Sequence, residues 1–337
     1  MATQAFPSET SEPVLAAEAP KPAVQRVNER PALKADEVIE TWYSLSIRAN
    51  AVLREPIAGQ VQGLICRVDA DMLTLIEGAR DASLLLLIHG AGSHANRYSV
   101  MHALLVGVVC DIASRSLIDW SDDKRCSLRR AALTMNIAMT RLQDLLAVQE
   151  TPVTADQRSQ IQGHAQGGSE LLREMGVTDE LWLEAVARHH DAPSGPLAAQ
   201  SEALQLARLI QRTDIFAARL SPRHKRTAMS GTGAAKGAYF DEQEQPDEAG
   251  SQIIKAVGLY PPGSYVELAN GEVAVVLRPG ASANKPVVAS VITPSGTPMT
   301  RPTLRRTDMR AHFVTRGVPP HEVRVRVPLE ALLRLLR

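Results

Sequence analysis

The sequence is poor in aromatics: Phe, Trp and Tyr together make up 4 % of its 337 residues. Leu, Val, Ile and Ala must fill the interior, within a 45 % hydrophobic share that fits a globular chain rather than a disordered one. Net charge is missing as well, because 37 Lys plus Arg cancel 37 Asp plus Glu. That balance argues against a chain-wide grip on a nucleic acid polymer or an anionic membrane. Cysteine is scarce: Cys66, Cys110 and Cys126 form an odd set with no CxxC spacing. Neither a disulfide framework nor a thiolate zinc site is expected, and a reducing cytoplasm is the natural home. The longest apolar stretches, Leu84–Ile88 and Val100–Cys110, fall short of the ~20 residues of a membrane span. Residues 1–14 lack a basic start followed by an apolar run, so no secretory signal is expected. A GxSxG elbow and a Rossmann glycine fingerprint are absent too.

What is there is mostly helix. Residues 1–34 carry five prolines and one aromatic, too little apolar surface to offset ordering, and read as a disordered lead. From Ala35 to about Val257 helical periodicity dominates, with Pro56, Pro152, Pro193 and Pro222 between periodic segments. The first two helices are expected at about 35–54 and 57–79. Thr154 with Gln157 reads as a capping box. Thr178 reads as a cap, followed by the carboxylates of Asp179 and Glu180 at the positive end of a helix dipole. After Tyr260 the pattern changes. Residues 265–268 and 273–277 read as strands around an Asn270-Gly271 turn, Val287–Ile292 as a third strand, and 329–336 as a closing helix.

Several polar residues interrupt apolar helix stripes. His102 shares a face with Tyr98, Met101, Leu105, Val109 and Ile112 at i, i+3, i+4 spacing. His189 shares one with Trp182, Ala185 and Val186, with His190 a step around. Asp214 aligns with Ala207, Ile210 and Ala218, and His164 stands among glycines. Singly, each reads as an ordinary satisfied core residue. Together, four histidines and one carboxylate from four helices of an apolar bundle make a metal cluster.

These residues also match a family pattern in order and spacing. Tyr98-Ser99-Val100-Met101-His102, Ile161 to Gly167 around His164, Arg188-His189-His190-Asp191 and Thr213-Asp214-Ile215-Phe216-Ala217 resemble successive motifs of the HD-GYP domain. Arg223 to Arg226 and Gly258 to Val266 resemble two further ones, and the likeness spans roughly Tyr98–Pro294. The resemblance implies a mainly α fold: an HD-domain helical bundle with an N-terminal helical extension and a small C-terminal β unit. On it the chain divides into 1–34, a lead; 35–95, an N-terminal helical segment; 96–258, the HD-GYP-like domain; and 259–337, a β-rich tail. It also implies a place in cyclic di-GMP signalling, as a phosphodiesterase-like hydrolase.

The departures fall on the chemistry. The name-giving "LLHDIGK" aligns with residues 133–139, putting Met135 at its His, Asn136 at its Asp and Met139 at its Lys. The "DGxGYP" loop is reduced to residues 191–196. In the family the motif Asp bridges two metal ions. Two dications ~3.7 Å apart repel by roughly 18 kcal/mol at an effective dielectric of ~20, so a bridging anion is needed. Asn136 is neutral, and the Met135 thioether suits Mn²⁺, Mg²⁺ or Fe²⁺ poorly. By this carry-over one metal position keeps only His102 and Asp214. The other keeps His164, His189 and His190, and can hold one divalent ion (Fe, Mn or Zn). Arg223 and Arg226 remain to contact a phosphodiester, on one face if a helix resumes after Pro222.

The leading reading is a catalytically impaired regulatory module that binds cyclic di-GMP or a signalling partner. Two alternatives stand beside it: an active one-metal phosphodiesterase, and a helical interaction scaffold. Other motifs read more plainly. Gly231–Gly237 reads as a flexible loop rather than a phosphate loop, and Asp241–Glu248 as a helix-leading loop. Arg301, Arg305, Arg306, Arg310 and Arg316 read as a solvated face, since no aromatic platform accompanies them.

Overall fold

Helical periodicity in the sequence becomes ten helices' worth of register in the computed structural model, which describes residues 34–91, 97–223 and 226–336. The expected lead lies outside the described residues except for Lys34. The helices are α1 (Ala35–Arg54), α2 (Val61–Gly90), α3 (Tyr98–Ser114), α4 (Asp122–Thr134) and α5 (Thr140–Val148). Then come α6 (Ala155–Glu174), α7 (Glu180–Arg188), α8 (Glu202–Leu220), α9 (Gly231–Tyr239) and α10 (Glu248–Val257). A five-stranded antiparallel sheet follows: β1 (Tyr265–Leu268), β2 (Val273–Arg278), β3 (Val287–Ile292), β4 (Pro298–Arg306) and β5 (Val314–Val318). The short helix α11 (Leu329–Leu333) closes the chain. The fold is mainly helical with a small C-terminal sheet.

The centre is α3. Every residue in it except Met101 is buried, so burial extends well beyond the expected stripe: neighbours cover this helix on nearly every side. The second expected helix is corrected as well. It starts later, at Val61, and runs to Gly90 through a break at Ala79, where φ is −155°. The apolar run Leu84–Ile88 forms its second half and is buried.

Charges hold some of these helices in place. The Arg129 guanidinium on α4 lies 2.5 Å from Asp69 on α2 and 3.2 Å from Asp111 on α3, all three side chains buried. Buried Arg208 on α8 similarly lies 2.5 Å from Asp247 and 3.1 Å from Glu242, so the acidic Asp241–Glu248 segment is pinned to α8 as well as leading into α10. Asp247 also caps α10 by accepting from Gly250 N. The capping box is as expected: Thr154 Oγ1 accepts from Gln157 N at 3.2 Å, and Gln157 Oε1 accepts from Thr154 N at 3.0 Å. At α7 the cap is Asp179, not Thr178, since the Asp179 carboxylate accepts from Trp182 N.

The glycine-rich stretch expected to be a loop is α9. Ser230 caps it, and close packing outweighs glycine's poor helix propensity. A Cβ at Gly231 would come 2.7 Å from the Ser264 side chain.

In the sheet the spatial order is β4-β3-β2-β1-β5, with Tyr265 opposite both Val275 and Val318. The first three strands and the Asn270-Gly271 turn stand where the sequence puts them, with Gly271 at φ +82°. β4 and β5 were not foreseen. The loop before β1 packs on the end of α2 through Gly263, at φ +88°, where a Cβ would lie 2.8 Å from His89 N. One sheet face packs with α11 and Leu85 of α2. The basic run largely meets acid: Arg305 pairs with Glu272, Arg306 with Asp308, and Arg316 with Glu267 and Glu322. No helix among the described residues is long and apolar enough to cross a membrane.

Candidate metal centre

Three imidazoles meet where α6 and α7 pack together. His164 lies on α6, His189 is the first residue past α7, and His190 follows in the turn. The pair therefore sits at and just beyond the end of α7. His164 and His189 are buried and His190 is exposed. Trp182 on α7 donates from Nε1 to Thr134 Oγ1 at 2.7 Å, which ties α7 to the end of α4 beside Met135.

Each buried ring is oriented by its own helix. His164 Nδ1 lies 2.6 Å from Ile161 O, and His189 Nδ1 lies 2.6 Å from Val186 O. A carbonyl only accepts, so Nδ1 carries the proton and Nε2 presents a bare lone pair. Yet His164 Nε2 is 3.2 Å from His189 Nε2 and 3.2 Å from His190 Nε2. A proton shared between the two buried rings is disfavoured. Burial, and then the neighbouring His190, push His189 down to about 3, and burial lowers His164 too.

The donor set fits one divalent ion. Two nitrogens each about 2.1 Å from a common ion lie about 3.0–3.4 Å apart for octahedral or tetrahedral angles. The observed 3.2 Å matches, and the backbone carbonyls supply the outer contacts that fix ligating histidines. Among the described residues these three form the one group of His, Cys, Asp and Glu close enough to share an ion, with nitrogens within 4.8 Å of one another.

His102 and Asp214, expected as remnants of a second position, are brought together with each other. His102 Nε2 donates to Asp214 Oδ1 at 2.7 Å. Burial would raise Asp214, but the His102 hydrogen bond and the nearby histidines outweigh it and hold the carboxyl below its ordinary range. His102 Nδ1 is buried without a partner. Met135 is buried at the end of α4; Asn136 precedes the 3-10 turn Ile137–Met139 and Met139 ends it, both half-buried. This turn packs on α6 near Gly168, whose Cβ position would lie 3.6 Å from Ile137 and 3.7 Å from Met135 O. Residues 135–139 thus border the helix that carries His164.

The two arginines are corrected in conformation. Rather than sharing a helix face, Arg223 and Arg226 form an antiparallel bridge, each N–H donating to the other's carbonyl at 2.9 Å. The two residues between them lie outside the described residues. One relationship escaped the sequence reading. Arg223 donates from Nε and Nη2 to Tyr98 Oη at 3.0 and 2.8 Å, and the Tyr98 ring stacks on His102 with centroids 5.7 Å apart. Tyr98 opens the same motif as His102, which was the available signal.

No family model and no solved structure matches this chain. Over 193 residues it is 24 % identical to cyclic di-GMP phosphodiesterase PA4108 of Pseudomonas aeruginosa. The match covers 55 % of this chain and 45 % of that protein, so the chain spans under half the length of its relative. The chain is distantly similar to a cyclic di-GMP phosphodiesterase.

Proposed function

We propose that this chain is an HD-GYP-like protein of cyclic di-GMP signalling, cytoplasmic, that binds nucleotide or a partner with impaired turnover. On this reading residues 35–95 are a helical extension, 96–258 the HD-GYP-like bundle and 259–337 its β tail. His164, His189 and His190 hold one divalent ion, and Arg223 and Arg226 meet the phosphodiester. The observation that carries the reading is the bare Nε2 pair of His164 and His189 at 3.2 Å, beside a segment with neutral Asn136 in place of a bridging carboxylate.

A bound dication supplies Lewis acidity toward a phosphate oxygen or water. The chain's own contribution is orientation: Ile161 and Val186 carbonyls fix the rings, and Tyr98 holds Arg223. Loss of the bridging charge leaves nothing to hold a second cation beside the first. His102 and Asp214 already satisfy each other. A second reading, an active one-metal phosphodiesterase, is favoured by the exposure of His190. Three protein ligands with an open side are the catalytic rather than the structural arrangement.

The test pairs two measurements. Calorimetric titration should show cyclic di-GMP binding that weakens roughly ten- to several-hundred-fold in the Arg223→Ala, Arg226→Ala variant. A hydrolysis assay with added Mn²⁺ or Fe²⁺ should show little turnover, and efficient turnover would select the second reading. Absence of nucleotide binding at any concentration would reject both.

A further inference from the structure

His190 is the one imidazole of the trio that its own helix does not hold. His164 and His189 each have Nδ1 fixed by a carbonyl one turn earlier. The His190 ring is exposed, and its one hydrogen-bond-length contact among the described residues is His164 Nε2 at 3.2 Å. We propose that Gln211 of α8, itself oriented by Arg208, is the positioning residue that delivers His190 to the metal. This rests on the reading that the three histidines hold one ion, and adds how the third is kept in place.

Hydrogen-bond direction is the first observation. Gln211 Nε2 donates to His190 O at 2.9 Å. Its Oε1 accepts from Arg208 Nη1 at 2.7 Å. An arginine only donates, so the amide oxygen must face Arg208 and the amide nitrogen must face the His190 carbonyl. The reversed amide would set donor against donor at Arg208 and acceptor against acceptor at His190. Arg208 thus decides which way Gln211 points.

The fixity of Arg208 is the second. Its side chain is buried against Asp247, which accepts from Nε at 2.9 Å, and Glu242 accepts from Nη2 at 3.1 Å. Nη1 also donates to the carbonyl of buried Ala192 at 3.0 Å. One guanidinium therefore holds the turn directly at residue 192 and, through Gln211, at residue 190. Among the described residues these are the two side-chain hydrogen bonds that reach the backbone of residues 190–192.

Placement along α8 is the third. Arg208, Gln211 and Asp214 recur every three residues, a spacing that forms a ridge on a helix surface. The ridge runs from the histidine turn to the His102–Asp214 pair. The next anchors of the loop lie farther on, where Gln200 Nε2 donates to Pro193 O and Leu197 N to Glu248 Oε2. Fixing the His190 backbone in advance leaves only its side-chain torsions to be ordered when the ion binds.

The test is competition titration of Zn²⁺ against a chromophoric chelator, with the full chain in metal-free buffer. Gln211→Met keeps the side-chain length and removes both hydrogen bonds. Arg208 retains Ala192 O and Glu242 as partners, so the fold should tolerate the change. Arg208→Ala is avoided because it would strand buried Asp247. Zn²⁺ affinity is expected to fall about 10- to 100-fold in Gln211→Met. In a His190→Ala background the same substitution should cost nothing further, since it acts through that ring alone. A Gln211→Met protein that binds Zn²⁺ as the wild type does overturns the proposal, and so does a loss of equal size in the His190→Ala background. Absence of Zn²⁺ binding by the wild type instead rejects the three-histidine centre, and the positioning role falls with it.

Discussion

His164 Nε2 faces His189 Nε2 across 3.2 Å, while each ring holds its Nδ1 2.6 Å from a carbonyl one turn earlier in the chain. Two lone pairs are thereby aimed at one point by backbone geometry. A cation shared between them removes the repulsion, and burial disfavours a proton in that role.

Placing a charge at position 136 tests the proposed impairment of turnover. Met135→His with Asn136→Asp should raise the number of bound ions per chain toward two, read by elemental analysis. The variant must pull Asp214 away from His102, which it now contacts at 2.7 Å. An unchanged ion count would show that this pair has closed the second position for good.

The Arg129 triad sets a stability prediction. Arg129→Ala leaves Asp69 and Asp111 buried without their shared cation. Removing one partner of a buried pair costs up to about 3–5 kcal/mol, and Arg130 at 3.6 Å from Asp69 and Arg115 at 2.8 Å from Asp111 keep the loss below that. The urea midpoint should fall accordingly, whereas exposed Arg48→Ala, which breaks a surface pair with Asp71, should change the unfolding free energy by under about 1 kcal/mol.

Acid should loosen the sheet through Glu272. Its carboxylate accepts from Arg305 Nε and Nη2 at 2.9 Å each and from Ser290 Oγ at 2.6 Å. The Arg305 hydrogen bonds lead in pulling it down to about 2, from an ordinary value of 4.5. A depressed carboxyl stabilises the fold above its unfolded value and loses that contribution as pH falls from 4.5 toward 2. Melting temperature should therefore drop across that window. In Glu272→Gln it should start lower at neutral pH and change less with acid. Parallel curves for the two proteins would contradict this.

Some of this molecule was legible because local chemistry decided it. The Thr154 capping box, the Asn270-Gly271 turn and the first three strands depend on neighbours in sequence. What was missed depends on distant packing. α9 forms although glycine disfavours it, because Gly231 lets the helix approach Ser264. β4 is largely exposed and lacks alternating hydrophobicity, so only its pairing with β3 makes it a strand. Pro222 marked the end of α8 correctly, but the Arg223–Arg226 bridge that follows had no local signature. The histidines were readable as a group, since four of them fall on or at the ends of three expected helices. Their division into a trio and a His102–Asp214 pair depends on the packing of four chain segments.

The most direct test is elemental analysis of purified wild type beside His189→Ala and His102→Ala, after exchange into metal-free buffer. One divalent ion per chain is predicted for the wild type, none for His189→Ala, and one for His102→Ala, whose Nε2 is committed to Asp214. Two tightly bound ions in the wild type, or an ion retained by His189→Ala and lost by His102→Ala, would contradict a single three-histidine centre.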